Sequence, residues 1–96
     1  MIRSFGNALA EELFDDAPRK SARRFPKELW RTARRKLQQI HEAECLDDLR
    51  IPPGNHLEKL KGDLAGFHSI RINDQWRIVF RWEQQHAYQV SVVDYH

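Results

Sequence analysis

The C-terminal part of the chain constrains the fold most, because it holds three apolar segments joined by very short connections. The segments "FHSIRI", "WRIVFRW" and "AYQVSVVDY" alternate with a period of two, and only "NDQ" and "EQQH" separate them. Connections this short join antiparallel neighbours, since a parallel crossover needs a dozen or more residues. The preceding "HLEKL" is a possible further strand. This pattern predicts an antiparallel sheet.

The first half of the chain has helical periodicity instead. "MIRSF" is predicted to form an opening strand closed by Gly6, and Asn7 to cap a first helix. A basic linker, "RKSARRF", leads to a longer helix from near Pro26 to about Glu44. We therefore predict a single α+β domain over residues 1–96, with an N-terminal strand and two helices packed on one face of a mostly antiparallel five-stranded sheet.

Composition excludes several classes of protein. The chain has 96 residues, of which 41% are hydrophobic, enough for one modest core. Its lone Cys45 has no partner for an internal disulfide, and no apolar run resembles a signal peptide or a membrane span. P-loop, dinucleotide-binding, CxxC and HExxH patterns are absent from the sequence. We expect a cytoplasmic protein without membrane contact, cofactor or metal site.

Positive charge is concentrated in one segment, although the net charge is only +2. Between residues 19 and 36 the single acid is Glu28. The nine basic residues there are Arg19, Lys20, Arg23, Arg24, Lys27, Arg31, Arg34, Arg35 and Lys36. Such a segment favours a polyanionic partner, in practice nucleic acid, and a solvated helix face is the alternative interpretation.

Strand parity predicts a second group of cations. The side chains that point to one side of "WRIVFRW" are Trp76, Ile78, Phe80 and Trp82, which should pack beneath the helices. Arg77 and Arg81 then lie on the open face. Arg71, on the preceding strand across the "NDQ" turn, is expected on the same face. An anion could bind there, although pairing with Asp74 or Glu83 would be a sufficient structural reason for these arginines.

The chain ends in Asp94, Tyr95 and His96, which suggests proton-transfer chemistry. Cleaving RNA without a metal needs a base for the 2′-hydroxyl, an acid for the departing 5′-oxygen, and cations for the phosphorane charge. Histidine suits either proton role near neutrality, and Lys61 is a further candidate cation. A plain polar terminus is the alternative. Tyr95 and His96 can serve one site only if the last strand ends at about Asp94.

The segments "DLRIPPGN", "LKGD", "SIRINDQWRI" and "VVDYH", in this order, resemble HigB-type toxins of the RelE/ParE superfamily. The resemblance covers essentially the whole chain. It implies a ribosome-dependent endoribonuclease that cleaves translated messenger RNA in the decoding site of the small subunit. It also implies a helix-turn-helix antitoxin of HigA type, and contact with operator DNA only through the complex with that antitoxin.

The same resemblance implies roles for individual residues. The "DYH" ending makes Asp94, Tyr95 and especially His96 candidate catalytic residues, and "LKGD" makes Lys61 a contact of the scissile phosphate. Arg77 lies on a strand where the superfamily often places a cation. Some members have a histidine where this chain has Glu58, so it stays open whether Glu58 or His56 acts. If "HLEKL" is a regular strand, His56 and Glu58 share a face.

Two alternatives belong to other functional classes. Relatives of ParE type have the same fold and inhibit DNA gyrase, but they lack this "DYH" ending. The chain could also be a basic RNA-binding module without catalysis. In our interpretation the basic segment, together with Arg71 and Arg81, binds ribosomal RNA, whereas catalysis takes place elsewhere.

Overall fold

A computed structural model describes residues 1–95, and His96 lies outside the described residues. The helices are α1 (Ala8–Asp15) and α2 (Trp30–Glu42). The strands are β1 (Glu58–Lys59), β2 (Phe67–Arg71), β3 (Trp76–Glu83) and β4 (His86–Asp94). Short 3₁₀ turns lie at Lys20–Arg24, Lys27–Leu29, Leu46–Arg50, Pro53–Asn55 and Gly62–Leu64. The α+β class and the antiparallel sheet are confirmed.

The sheet has four strands in the order β1-β2-β3-β4, and each neighbouring pair is antiparallel. The predicted fifth strand, "MIRSF", is reduced to two isolated parallel bridges against β4. A bulge in β4 explains this difference, because Gln89 adopts a positive φ of 53° and its backbone N–H bonds to the Ser4 hydroxyl at 2.8 Å. The regular backbone ladder is interrupted there.

Asn7 ties α1 to the sheet as well as capping the helix. Its Oδ1 accepts a 3.0 Å hydrogen bond from the Ala10 N–H, as the sequence predicted. Its Nδ2 donates to the Val92 carbonyl of β4 at 2.9 Å. The helix therefore begins at a fixed point above the last strand.

Both helices cover one face of the sheet. One stripe of α2 is apolar and fully buried, and its members are Ala33, Leu37 and Ile40. Ile78 and Phe80 of β3 meet them in the core, which also confirms the parity of that strand. Helix α2 starts later than predicted, at Trp30, because the chain after Pro26 first makes the 3₁₀ turn Lys27–Leu29. No described helix has the length and hydropathy to cross a membrane.

The basic linker is ordered by one carboxylate of α1. Glu12 of α1 is buried, and its Oε1 accepts backbone hydrogen bonds from Arg19 at 2.8 Å and Ala22 at 3.1 Å. Burial acts to raise the pKa of Glu12, but the hydrogen bonds from Arg19, Ser21 and Ala22 outweigh it and lower that pKa. The linker is thus a fixed turn beside α1.

Candidate active site

Arg77 is the centre of a bonded cluster on the sheet face away from the helices. Its side chain is only 9% exposed. Nε donates to the Ser69 hydroxyl at 2.9 Å, and Nη2 donates to the His56 carbonyl at 2.7 Å. Nη1 lies 3.6 Å from the Glu58 carboxylate. The guanidinium is therefore held in one orientation. Its Nη1 points toward Glu58, whose side chain is half exposed.

Tyr95 adds an aromatic wall to this cluster. Its ring centroid lies 5.5 Å from Cζ of Arg77, within the range of a cation–π contact. The Tyr95 backbone N–H donates to the Gln75 carbonyl at 2.6 Å, which anchors the chain just after β4. The last strand ends at Asp94, as the parity argument required.

Asp94 is on the other side of the strand from Tyr95. It stands opposite Trp76 in the register, and its Oδ2 accepts a 2.9 Å hydrogen bond from Gln75 Nε2. The turn residue Gln75 thus binds both residues that precede His96. Asp94 and Tyr95 are therefore held in fixed positions at the end of β4. The predicted role of His96 falls outside the described residues.

The placement of His56 and Glu58 differs from the prediction. His56 is not in a strand: it adopts a left-handed conformation, with φ of 46°, directly after the Pro53–Asn55 turn. The condition under which the two side chains would share a strand face, a regular strand over "HLEKL", is therefore not met. His56 contributes its carbonyl to Arg77, whereas Glu58 contributes its side chain.

Lys61 follows the short strand β1 and is exposed. Its backbone precedes the Gly62–Leu64 turn. Among residues 1–95, no hydrogen bond or ion pair restrains its ammonium group. Within residues 1–95, Lys61 is thus an unpaired cation just after the edge strand that carries Glu58.

A buried lysine supports the loop that reaches Arg77. Lys36 of α2 is 7% exposed, and its Nζ donates to Asn55 Oδ1. Asn55 is fully buried, and its Nδ2 donates to the Leu49 carbonyl at 3.1 Å. Burial lowers the pKa of Lys36, and the nearby Arg35 and Arg71 lower it further. Lys36 is therefore a structural residue, which corrects its assignment to the predicted RNA-binding surface.

The predicted open arginine face is also corrected. Arg71 and Arg81 do share a face with Arg77, because the register pairs Arg71 with Arg77 and Phe67 with Arg81. Arg77 is nevertheless buried beneath the 56–58 segment and Tyr95. Arg71 pairs with Asp74, and Arg81 pairs with Glu83. The ion pairing of the structural alternative is therefore present at both flanking arginines, and their RNA-binding role stays a prediction.

Six cations of the basic segment stay exposed and make no ion pair within residues 1–95. We call them the basic surface: Lys20, Arg23, Arg24, Lys27, Arg31 and Arg35. Arg19 pairs with Asp15 at 4.0 Å. Arg34 is half buried, and its Nε donates to the Leu13 carbonyl at 2.9 Å and lies 3.6 Å from Asp16.

Two histidines have lowered pKa values, and both lie away from Arg77. Burial lowers the pKa of His68, with Lys59 as a further cause, and its ring packs 6.0 Å from that of Phe80. Burial also lowers the pKa of His86, assisted by Arg3 and the N-terminus. Both are therefore neutral at pH 7. Within residues 1–95, no three His, Cys, Asp or Glu side chains come together as a metal site would require.

The sequence did not identify several residues of this site. Ser69, Asn55 and Gln75 have no chemistry of their own that would mark them, and each bonds to a side chain outside its own local segment. Glu12 did carry a signal, since it falls among Leu9, Ala10 and Leu13 on the buried side of α1. An acid in that position indicates a buried hydrogen-bonding role.

Comparison with known proteins identifies relatives over nearly the full length. A family model described as "RelE-like toxin of type II toxin-antitoxin system HigB" matches residues 3–96. Toxin HigB-1 of Vibrio cholerae is 39% identical over 82 residues, covering 85% of this chain and 84% of that protein. An uncharacterized protein of Haemophilus influenzae is 40% identical over 60 residues, covering 62% of this chain and 59% of its own.

Solved structures show the same fold. The YoeB-YefM complex of Staphylococcus aureus contains a chain with a TM-score of 0.62 and 22% identity, covering 100% of this chain and 98% of that one. A YoeB dimer from the same organism gives a TM-score of 0.61 at 21% identity, covering 99% and 97%. At these identities the likeness concerns the fold alone.

Proposed function

Because this chain belongs to the HigB-like family of RelE-like toxins from type II toxin–antitoxin systems, we propose that it is an endoribonuclease that cleaves messenger RNA on the ribosome. In this proposal the RNA lies in the decoding site of the small subunit, and an antitoxin of HigA type neutralises the toxin. Operator DNA is bound only through the complex with that antitoxin.

One observation carries the proposal: the Arg77 guanidinium is fixed beside Tyr95, one residue before the terminal His96. A guanidinium held by Ser69 and the His56 carbonyl needs little reorganisation to meet developing negative charge. Its Nη1 is 3.6 Å from Glu58, so a phosphate oxygen can compete for it. The adjacent Tyr95 ring, 38% exposed, offers a surface on which a base can stack.

The reaction follows from these groups. A base removes the proton of a 2′-hydroxyl, the resulting oxygen attacks the neighbouring phosphorus, and the bond to the 5′-oxygen breaks. An acid then protonates the departing 5′-oxygen, leaving a 2′,3′-cyclic phosphate and a 5′-hydroxyl. Arg77 and Lys61 balance the charge on the phosphorane oxygens.

The proton carriers are assigned by their chemistry. His96 takes one of the two proton roles, because imidazole is the side chain whose ordinary pKa lies closest to neutrality. Glu58 is a candidate for the other role, since its carboxylate lies 3.6 Å from Arg77 Nη1, whereas His56 meets Arg77 through its backbone carbonyl. Tyr95 contacts a nucleobase of the RNA. Asp94 fixes the end of the strand through Gln75.

The test is induced expression of His96→Gln, with His68→Gln, which packs against Phe80 away from Arg77, as the control. Loss of growth inhibition and of new 5′ ends in ribosome-bound messages is expected for His96→Gln alone. Co-expression of the antitoxin should protect cells that express the wild-type chain. Undiminished cleavage by His96→Gln would refute the role of that histidine. Inhibited gyrase supercoiling with intact messages would favour the ParE-like alternative.

A further inference from the structure

A cavity of about 580 Å³ opens beside the basic surface, where the Lys20–Arg24 turn, the Lys27–Leu29 turn and the start of α2 meet. Ala22, Phe25 and Trp30 line it with apolar surface. Lys27 and Arg31 lie at its edge together with Glu28. Its size suits a small planar group, and it shares no residue with the Arg77 cluster.

The walls of this cavity are held in place before any ligand arrives. Trp30 Nε1 donates to Asp16 Oδ1 at 2.7 Å, which fixes the plane of the indole. Phe25 is 3% exposed and packs edge-on against Trp76, with ring centroids 5.0 Å apart. The Ala22 backbone is bonded to the buried Glu12. Little ordering is therefore needed when a ligand binds.

The charge around the opening is strongly one-sided. Lys27 and Arg31 are exposed and belong to the basic surface, whose members make no ion pair within residues 1–95. Lys20, Arg23 and Arg24 lie on the turn that also provides Ala22. The opposing charges are Glu28 at the cavity edge and Asp16, which accepts the hydrogen bond of Trp30. An apolar ring-lined cavity within an excess of cations is complementary to an aromatic group on an anionic chain.

We propose that this cavity binds one unstacked base of single-stranded RNA, with the neighbouring phosphates on Lys27 and Arg31. An RNA base presents a flat face to the partly exposed Trp30 ring, and its phosphates match the surrounding cations. An acidic peptide would satisfy the cations but has no obligatory ring to fill the cavity. The inference rests on the proposed function only in taking RNA as the ligand, since the site is a second one, remote in sequence from the terminal residues.

The test measures binding rather than cleavage, in the full-length His96→Gln chain, so that RNA stays intact. The probe is a short oligouridylate, compared with an oligomer of equal length that lacks bases. We expect the abasic oligomer to bind about tenfold more weakly or worse, because base–aromatic stacking contributes that much. Ala22→Leu, which fills the cavity without removing a wall, should weaken oligouridylate binding by a similar factor.

Two further variants complete the design. Trp30→Leu removes the ring platform, and Arg50→Gln is the matched control, an exposed arginine paired with Asp47 on another element. Trp30→Leu should reproduce the loss, whereas Arg50→Gln should bind as the parent chain does. Circular dichroism checks that each variant is folded.

Equal binding of oligouridylate and the abasic oligomer would overturn the inference, and so would wild-type affinity in a folded Ala22→Leu chain. Polyglutamate could bind more tightly than RNA, with Ala22→Leu weakening that binding. This result would assign the cavity to an acidic protein partner and refute a base site. A chain that binds through the cavity but cleaves no message would refute the proposed function and leave this inference standing.

Discussion

Arg77 and the basic surface are both cationic, yet the protein treats them in opposite ways. Arg77 is buried, and its donors are committed to Ser69, the His56 carbonyl and Glu58. The basic surface is exposed and makes no ion pair within residues 1–95. A fixed guanidinium can stabilise charge at one point, whereas free surface cations attract a polyanion over a broad area and are screened by salt. The proposed function thus assigns chemistry to Arg77 and docking to the basic surface.

The strongest test of this contrast is Arg77→Met against Arg31→Met. Removing Arg77 leaves the buried Ser69 hydroxyl and the His56 carbonyl without their donor, which should lower the free energy of unfolding by about 2–4 kcal/mol. Arg31→Met should change it by less than about 0.5 kcal/mol. Urea denaturation measures both. Equal losses would mean that Arg77 is no more structural than a surface cation.

Substitution of Asn55, which holds the loop that reaches Arg77, should have a smaller effect on stability. Asn55→Ala removes the acceptor of Lys36 and the donor to Leu49, so we expect a loss of about 2 kcal/mol in the free energy of unfolding. Because the next residue is His56, cleavage should also slow through a displaced Arg77. Gln38→Ala, on the exposed side of α2, is the control. Slower cleavage in that control as well would argue against this route.

Acid should weaken the fold through His68, an effect smaller than either substitution. Burial lowers the pKa of His68 in the folded chain from the ordinary 6.5, so the unfolded chain binds the proton more readily. The free energy of unfolding should therefore fall as pH drops below about 6.5 and level off below the folded pKa. Urea titrations across this range, repeated with His68→Gln, should show a flatter dependence in the variant, with His86 accounting for part of the remainder.

The least effect on stability is expected at the basic surface itself. Replacing Lys20, Arg24 and Arg35 with Gln should shift the free energy of unfolding by less than about 0.5 kcal/mol per site. Ribosome association should weaken, and its dependence on salt should become shallower by roughly 0.7–0.9 in logarithmic slope per lost phosphate contact. Sedimentation with ribosomes at several salt concentrations measures this. An unchanged slope would contradict the docking role; Arg34 is left intact because it bonds to Leu13.

Local patterns predicted the elements of the fold well. Period-two segments with three- and four-residue connections gave β2, β3 and β4 in antiparallel order, because chain geometry allows no other neighbour. The Asn7 cap and the stripe of α2 were likewise local properties. The N-terminal strand was the error, since the bulge at Gln89 that interrupts its pairing is in a distant strand.

The site was less predictable than the fold, because exposure depends on residues far apart in sequence. Strand parity predicted the correct face for Arg77. It could not predict that the 56–58 segment covers that side chain. Charge counting treated Lys36 like its neighbours, although Asn55 buries it.

The sequence alone determined the periodicities, the turns, the surplus of positive charge before residue 37 and the identity of the terminal groups. The tertiary structure decided which cations are free, which are bonded, and that Tyr95 meets Arg77. The physical reason is that periodicity depends on neighbours along the chain, whereas desolvation and hydrogen bonding depend on neighbours in space.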